Sequence, residues 1–140
     1  NRVRSERVQM AEDISAVLKR IPSIRHACDL DLLLFFYRHP SALLTSEQIV
    51  AYVGYPRERI AASLDGLIEA GFLTRSQNPS HAARLYVLEL DSFPDGLLTS
   101  LLQVAATREG RQQVLRLLEG RPNRFPGTRL RRRASVIKIA

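Results

Sequence analysis

The stretch that decides the fold is residues 45–73, TSEQIVAYVGYPRERIAASLDGLIEAGFL. Its first part predicts a short helix over Glu47–Val53, because Thr45 or Ser46 can accept a hydrogen bond from the orphan N–H groups at a helix start. Gly54 then supplies the positive φ at which helices commonly end. The sequence therefore predicts a short helix that stops abruptly at a glycine.

A second helix follows almost at once. Pro56 suits the start of a helix, since its missing N–H costs nothing there, and the pattern predicts a helix over Arg57–Ala70 that ends at Gly71. Its apolar residues recur at helical spacing; they are Ile60, Leu64, Leu67 and Ile68. Two helices joined by a tight, glycine-containing turn predict a helix-turn-helix.

The residues on either side of this motif predict a helix before it and a hairpin after it. A helix is expected from Asp29, as N-cap, to His39, and it is apolar nearly all round, which is typical of a buried helix. After the motif, 72–75 and 84–90 alternate like strands around a turn at 77–81. A hairpin this short must pack on the helices to be stable. Residues 29–92 are therefore predicted to form a winged helix-turn-helix domain.

The rest of the chain predicts helices at both ends, so the fold class is mainly α with a small β-hairpin. Residues 3–20 have helical spacing within an N-terminal segment, 1–28. A helix over Leu97–Glu119, which Gly110 is expected to divide, lies in a C-terminal helical segment, 93–120. Residues 121–140 form a basic tail, whose end, Val136–Ile139, is expected to be a strand or a docking segment.

The positive charge of the chain is confined to that tail. The formal net charge is +7, yet residues 1–120 carry equal numbers of basic and acidic side chains, and the last twenty carry seven basic and no acidic ones. A body without net charge exerts no long-range attraction on phosphate, although a local patch can still do so. The net charge alone therefore does not indicate that the body binds nucleic acid.

From Leu32 to Leu90 the chain resembles the MarR-type winged helix-turn-helix regulators of bacteria. The residues that carry the resemblance are Leu64-Asp65, Leu67 and Ala70-Gly71-Phe72-Leu73, at the exit of the second motif helix. Arg75, Asn78-Pro79 and Arg84 fall where that family has a basic, proline-containing wing tip. The resemblance implies a homodimer, paired through helices from both termini, that binds double-stranded DNA.

The DNA contacts expected from this geometry come from two elements. In the second motif helix they are Arg57, Arg59, Ala62 and Ser63, since the first residues of a recognition helix reach the major groove. In the hairpin they are Arg75, His81 and Arg84. The tail residues Arg129, Arg131, Arg132 and Arg133 could add phosphate contacts independent of sequence. The alternatives are a solvated helix start, a solvated hairpin and a solvated tail.

The second motif helix also departs from the pattern that the resemblance implies. Ala62 and Gly66 stand where that family commonly has basic side chains, and neither can make the bidentate contacts that arginine makes to guanine. Glu58, Asp65 and Glu69 add three carboxylates to the same outward face. His81 stands near the position of the acidic wing residue of the family.

Nothing in the sequence predicts an enzyme. His26, His39 and His81 lack the spacing of metal ligands, and the single cysteine, Cys28, cannot pair within the chain. No glycine-rich nucleotide-binding loop is present, and no apolar run is long enough for a membrane helix. We therefore expect no metal, cofactor or membrane, and a cytoplasmic location.

Two hypotheses of function remain at this stage. The first is a DNA-binding transcriptional regulator that acts as a homodimer. The second is a winged-helix module that binds another protein within a larger assembly, through the small, mildly acidic face around Ala62 and Gly66. An effector pocket would lie between the winged domain and the terminal helices, but no polar cluster in the sequence defines one.

Overall fold

The computed structural model describes residues 13–76, 82–92 and 96–121. There the chain is mainly helical and carries a small three-stranded antiparallel sheet. In chain order the elements are α1 (13–19), α2 (Ala27–Arg38), β1 (Ser41–Leu44), α3 (Ser46–Val53), α4 (Arg57–Glu69), β2 (Leu73–Arg75), β3 (Arg84–Leu88), a 3-10 turn (Leu90–Ser92), α5 (Leu97–Ala105) and α6 (Arg108–Leu118). The predictions for the start of the N-terminal helix, the hairpin turn at 77–81 and residues 122–140 lie outside the described residues.

Helix α2 begins two residues before the predicted start, and its cap is a histidine. His26 has extended backbone angles, and its Nδ1 accepts a hydrogen bond from the backbone N–H of Cys28 at 2.9 Å. The carboxylate of Asp29 accepts in return from the backbone N–H of His26 at 3.1 Å. The prediction of Asp29 as N-cap was therefore wrong, since Asp29 is the third helical residue of a reciprocal capping box.

The two motif helices are confirmed nearly to the residue. Thr45 caps α3, with its hydroxyl accepting from the backbone N–H of Gln48 at 3.1 Å, while the Gln48 side chain accepts from the backbone N–H of Thr45 at 2.9 Å. Gly54 ends α3 at φ 84°, and Pro56 stands immediately before α4 as its N-cap. Only three residues separate the helices, which holds α4 close to α3.

The sheet contains one strand more than the sequence predicted. Strand β3 is central and pairs antiparallel with both β1 and β2. On its inner side Tyr86 and Leu88 are buried, and the Tyr86 ring lies 5.5 Å from that of Phe36 in α2. On its outer side Leu85 is opposite Leu43 of β1, and both are exposed. The sheet therefore covers α2 with one face only.

The core lies between α2 and the elements that surround it. Burying apolar side chains contributes roughly 25 cal/mol per Å² removed from water, so the large residues that are almost fully buried dominate the folding energy. They are Ile21, Ile24, Leu30, Leu32, Leu33, Phe36, Ile49, Leu67, Phe72, Leu73, Leu98 and Leu101. Helix α2 supplies four of these twelve, which confirms the prediction that it is buried on several sides.

The C-terminal helical segment divides, but not at Gly110. Helix α5 ends at Ala105, and Thr107 caps α6 by accepting from the backbone N–H of Gly110 at 3.0 Å. Gly110 therefore lies in the first turn of α6. A Cβ added there would stand 2.0 Å from the carbonyl oxygen of Val104. The glycine permits close approach of α6 to the end of α5 instead of breaking the helix.

Arg121 closes the described part of the chain against its beginning. Its guanidinium donates to the carbonyl oxygen of Ile21 at 3.0 Å, and also to those of Leu18 and Ile24. We had predicted Arg121 as the first residue of the tail, yet its side chain packs against the segment between α1 and α2. Among the described residues, no helix combines the length and the apolar character that crossing a bilayer requires.

Candidate nucleic-acid interface

The outward face of α4 is the first part of the candidate interface. Its apolar residues Ile60, Leu64 and Leu67 are buried, whereas Arg57, Glu58, Asp65, Gly66 and Glu69 are exposed. Three of the four charged side chains in the exposed set are carboxylates. The face is therefore accessible, and it is more acidic than basic.

The cation at the start of α4 is paired with α3. Nη2 of Arg57 lies 3.2 Å from Oε2 of Glu47, and both side chains are more than half exposed. A hydrogen bond from its own backbone N–H and the guanidinium of Arg57 lower the pKa of Glu47. Exposed pairs of this kind contribute little to stability. Arg57 therefore lies near the motif turn and can exchange Glu47 for another partner.

The hairpin brings a second cation to α4. Nη2 of Arg75 in β2 lies 3.6 Å from Oδ1 of Asp65 in α4. Arg84 in β3 donates to the backbone carbonyl of Ser76 at 3.3 Å, which fixes it where the hairpin leaves the sheet. The structure thus places Arg75 beside α4 and Arg84 at the base of the hairpin turn.

The other predicted contacts on α4 point less freely outward. Arg59 is half-buried and lies close enough to His26 to help lower the pKa of that imidazole, and Ala62 is half-buried as well. Ser63 is only 4% exposed, with its hydroxyl beside the thiol of Cys28. The prediction of Ser63 as a DNA contact is wrong, because a buried hydroxyl cannot reach a base or a phosphate. His81, Arg129, Arg131, Arg132 and Arg133 lie outside the described residues.

The described residues offer little for metal or thiol chemistry. Residues 13–76, 82–92 and 96–121 hold no cluster of three histidine, cysteine or acidic side chains that could bind a metal ion. Burial raises the pKa of Cys28 to about 11. A thiol that stays protonated at neutral pH is a poor nucleophile, so Cys28 acts as a packing residue beside α4.

Comparison with protein-family models, with curated proteins and with solved structures finds no significant match to this chain. The arrangement of the described elements and the charges that they expose therefore carry any inference about function.

Proposed function

We propose that this chain is a winged helix-turn-helix transcriptional regulator, of the kind seen in MarR-type proteins, that binds double-stranded DNA as a homodimer in the cytoplasm. The observation that carries the proposal is the order α2, β1, α3, α4, β2, β3, in which α4 follows a three-residue turn and keeps one face exposed. Strand β2 lies beside that helix, and β3 pairs with β2. This is the order of elements in a winged helix.

In this proposal α4 enters the major groove with its N-terminal end first. Arg57 reaches base edges or phosphates by exchanging its exposed carboxylate partner, Glu47, for DNA. Such an exchange costs little, because an ion pair between exposed side chains contributes little to stability. Arg75, at the end of β2, and Arg84, at the start of β3, contact the flanking phosphate backbone. The tail adds contacts that do not depend on sequence.

Dimerisation would be needed to read a DNA site of useful length. Helices from both ends of the chain would pair the two subunits, and the two-fold axis predicts half-sites about one helical turn apart. A homodimer at micromolar concentration in light scattering supports this part of the proposal, and a monomer contradicts it.

A second candidate is a winged-helix module that binds a protein. The observation that favours it is the pairing of Arg57 with Glu47 and of Arg75 with Asp65, which leaves Glu58 and Glu69 as exposed carboxylates on α4. Carboxylates are repelled by the negatively charged phosphate backbone of DNA, whereas a protein interface can accommodate them. This candidate predicts that DNA binds, if at all, only through the tail.

A titration of the full chain with fluorescently labelled duplex DNA, at two salt concentrations, distinguishes the two. We expect Arg57→Gln to weaken binding by about five- to thirtyfold, the loss of one arginine contact of ~1–2 kcal/mol. Arg38→Gln, at an exposed arginine in the last turn of α2, is the matched control and should change nothing. Glu58→Gln with Glu69→Gln should tighten binding by removing repulsion.

The tail is tested separately in the intact chain. The four tail arginines are replaced by glutamine; they are Arg129, Arg131, Arg132 and Arg133. The slope of log DNA affinity against log salt concentration should then fall by up to about one unit per lost contact. The effect of Arg57→Gln should remain. If those four replacements abolish all binding, and Arg57→Gln has no effect, α4 does not contact DNA and the protein-binding candidate replaces the regulator.

A further inference from the structure

A groove is formed by elements other than α4. It runs between α2, the end of α3 and the junction of α5 with α6, and it holds a volume of about 520 Å³. One side of it is open to solvent. None of its lining residues belongs to α4, β2 or β3, so the groove is separate from the candidate nucleic-acid interface.

The lining of the groove combines apolar and polar side chains. Leu34 and Ala105 are buried and Phe35 and Val53 half-buried in its lining. At its edge Tyr52 is 62% exposed, with its ring stacked on that of Phe35 at a centroid distance of 5.5 Å. An aromatic ring held in place by stacking, with one face in solvent, offers contact area at little entropic cost.

The edges of the groove carry arginines. Arg38, at the end of α2, and Arg108, at the start of α6, are exposed, and neither pairs with a carboxylate within residues 13–76, 82–92 and 96–121. Arg111 also lines the groove, where Asp31 balances its charge at 2.8 Å. Two arginines without a carboxylate partner among the described residues therefore stand beside the apolar part of the lining.

We propose that this groove binds an acidic, amphipathic segment of a partner protein. Charge complementarity selects the occupant: carboxylates of the partner would pair with Arg38 and Arg108. Its apolar side chains would cover Phe35, Tyr52 and Val53. Tyrosine and arginine are the residue types that dominate the binding energy of protein interfaces. A groove open to solvent suits a peptide segment better than a small ligand, which binds where most of its surface is enclosed.

The test uses a fluorescein-labelled peptide with leucine at every third or fourth position and glutamate at the others. Its partner probe has glutamine in place of every glutamate. Fluorescence anisotropy with the full chain should show about tenfold tighter binding of the glutamate peptide, since desolvated charge pairs at an interface have coupling energies of this order.

Variants locate the binding to the groove. Arg38→Gln with Arg108→Gln should weaken binding of the glutamate peptide by about tenfold. Tyr52→Ala should weaken binding of both peptides. Arg116→Gln, the matched surface arginine, and Arg57→Gln, on the α4 side, should leave both affinities unchanged. Because the three variant positions are exposed, the melting temperature of each protein serves to confirm that the fold is retained.

Equal affinity for the two peptides would overturn the proposal, as would peptide binding that is unchanged when Arg38 and Arg108 are replaced. Binding of benzoate, a probe for small aromatic anions, in the groove without binding of either peptide would also overturn it, since the groove would then be a small-ligand site. The DNA titration is independent of this test. Arg38→Gln with Arg108→Gln is expected to leave DNA affinity unchanged, so failure of the groove proposal and failure of the regulator proposal give different patterns.

Discussion

Asp31 and Arg111 are eighty positions apart in the chain and are joined by two hydrogen bonds. Nε of Arg111 donates to Oδ1 of Asp31 at 2.9 Å and Nη2 donates to Oδ2 at 2.8 Å. The hydroxyl of Tyr55 donates to the same carboxylate at 2.5 Å. Burial and the bond to Asp31 raise the pKa of Tyr55, so its hydroxyl remains a donor over the ordinary pH range. Asp31 thus ties α6 and the turn before α4 to α2.

The first prediction is that Asp31→Asn destabilises the fold. The substitution leaves the guanidinium of Arg111 without its counter-charge. The side chain of Arg111 is 38% exposed and that of Asp31 is 18% exposed. The partial exposure reduces the loss below that of a buried pair, to about 1–2 kcal/mol of unfolding free energy. Urea unfolding measures it. Asp91→Asn, at an exposed aspartate, is the control, and equal losses at the two positions would contradict the structural role of Asp31.

Local signals account for the parts of the fold that the sequence predicted well. Gly54 and Gly71 have φ of 84° and 89°, and each marks a helix end that composition and spacing locate directly. Strand β1 was missed because four residues show too little alternation, and because its partner, β3, is more than forty residues away. The groove and the Asp31–Arg111 pair were missed for the same reason: they join residues from distant segments.

The candidate interface was predicted less well than the fold. Arg57, Arg75 and Arg84 are where the helix and the hairpin were expected to present them, but the pairing of Arg57 with Glu47 depends on how closely α3 and α4 pack. Ser63 was assigned outward and lies inward, since a one-residue error on a helical wheel rotates a side chain by about 100°. Burial of a small polar residue is the kind of fact that periodicity does not indicate.

The second prediction concerns pH. Burial, and then the charge of Arg59, lower the pKa of His26 below its ordinary value of 6.5. The unfolded chain therefore binds this proton at a higher pH than the folded chain does. The stabilisation is fully present above pH 6.5 and is lost as the pH falls through the lowered pKa, because the Nδ1 that accepts from Cys28 becomes protonated.

Replacing the imidazole tests that assignment. His26→Asn keeps a good N-cap that does not titrate, so the loss of unfolding free energy between neutral and mildly acidic pH should be smaller than in the parent chain. Identical pH profiles for the parent chain and His26→Asn would show that His26 does not titrate as described.

The third prediction compares the effects of alanine substitution at two glycines on stability. Gly110→Ala places a Cβ 2.0 Å from the carbonyl oxygen of Val104 and 2.8 Å from Oγ1 of Thr107, so α6 must move away from α5 at a cost of about 1–3 kcal/mol. Gly66→Ala, within α4, meets no atom within 4 Å and should stabilise the chain by about 0.5–1 kcal/mol. Thermal unfolding followed by circular dichroism should give shifts of opposite sign. A shift of the same sign in both variants would contradict the close approach at Gly110.

The fourth prediction is that Arg121 stabilises the end of α1. Its guanidinium donates to three backbone carbonyls, those of Leu18, Ile21 and Ile24, and burial, followed by the charge of Arg25, lowers its pKa. Arg121→Ala removes all three bonds and leaves those carbonyls to find other donors, so unfolding free energy should fall by about 1–3 kcal/mol. Arg121→Lys should recover part of this loss, because an ammonium lacks the planar fork that reaches several acceptors at once. Chemical denaturation of both variants, with Arg116→Ala as the exposed control, measures the effect. If Arg121→Ala unfolds no more easily than Arg116→Ala, the contact with α1 contributes nothing to stability. Arg121 would then be assigned to the basic tail, as the sequence predicted.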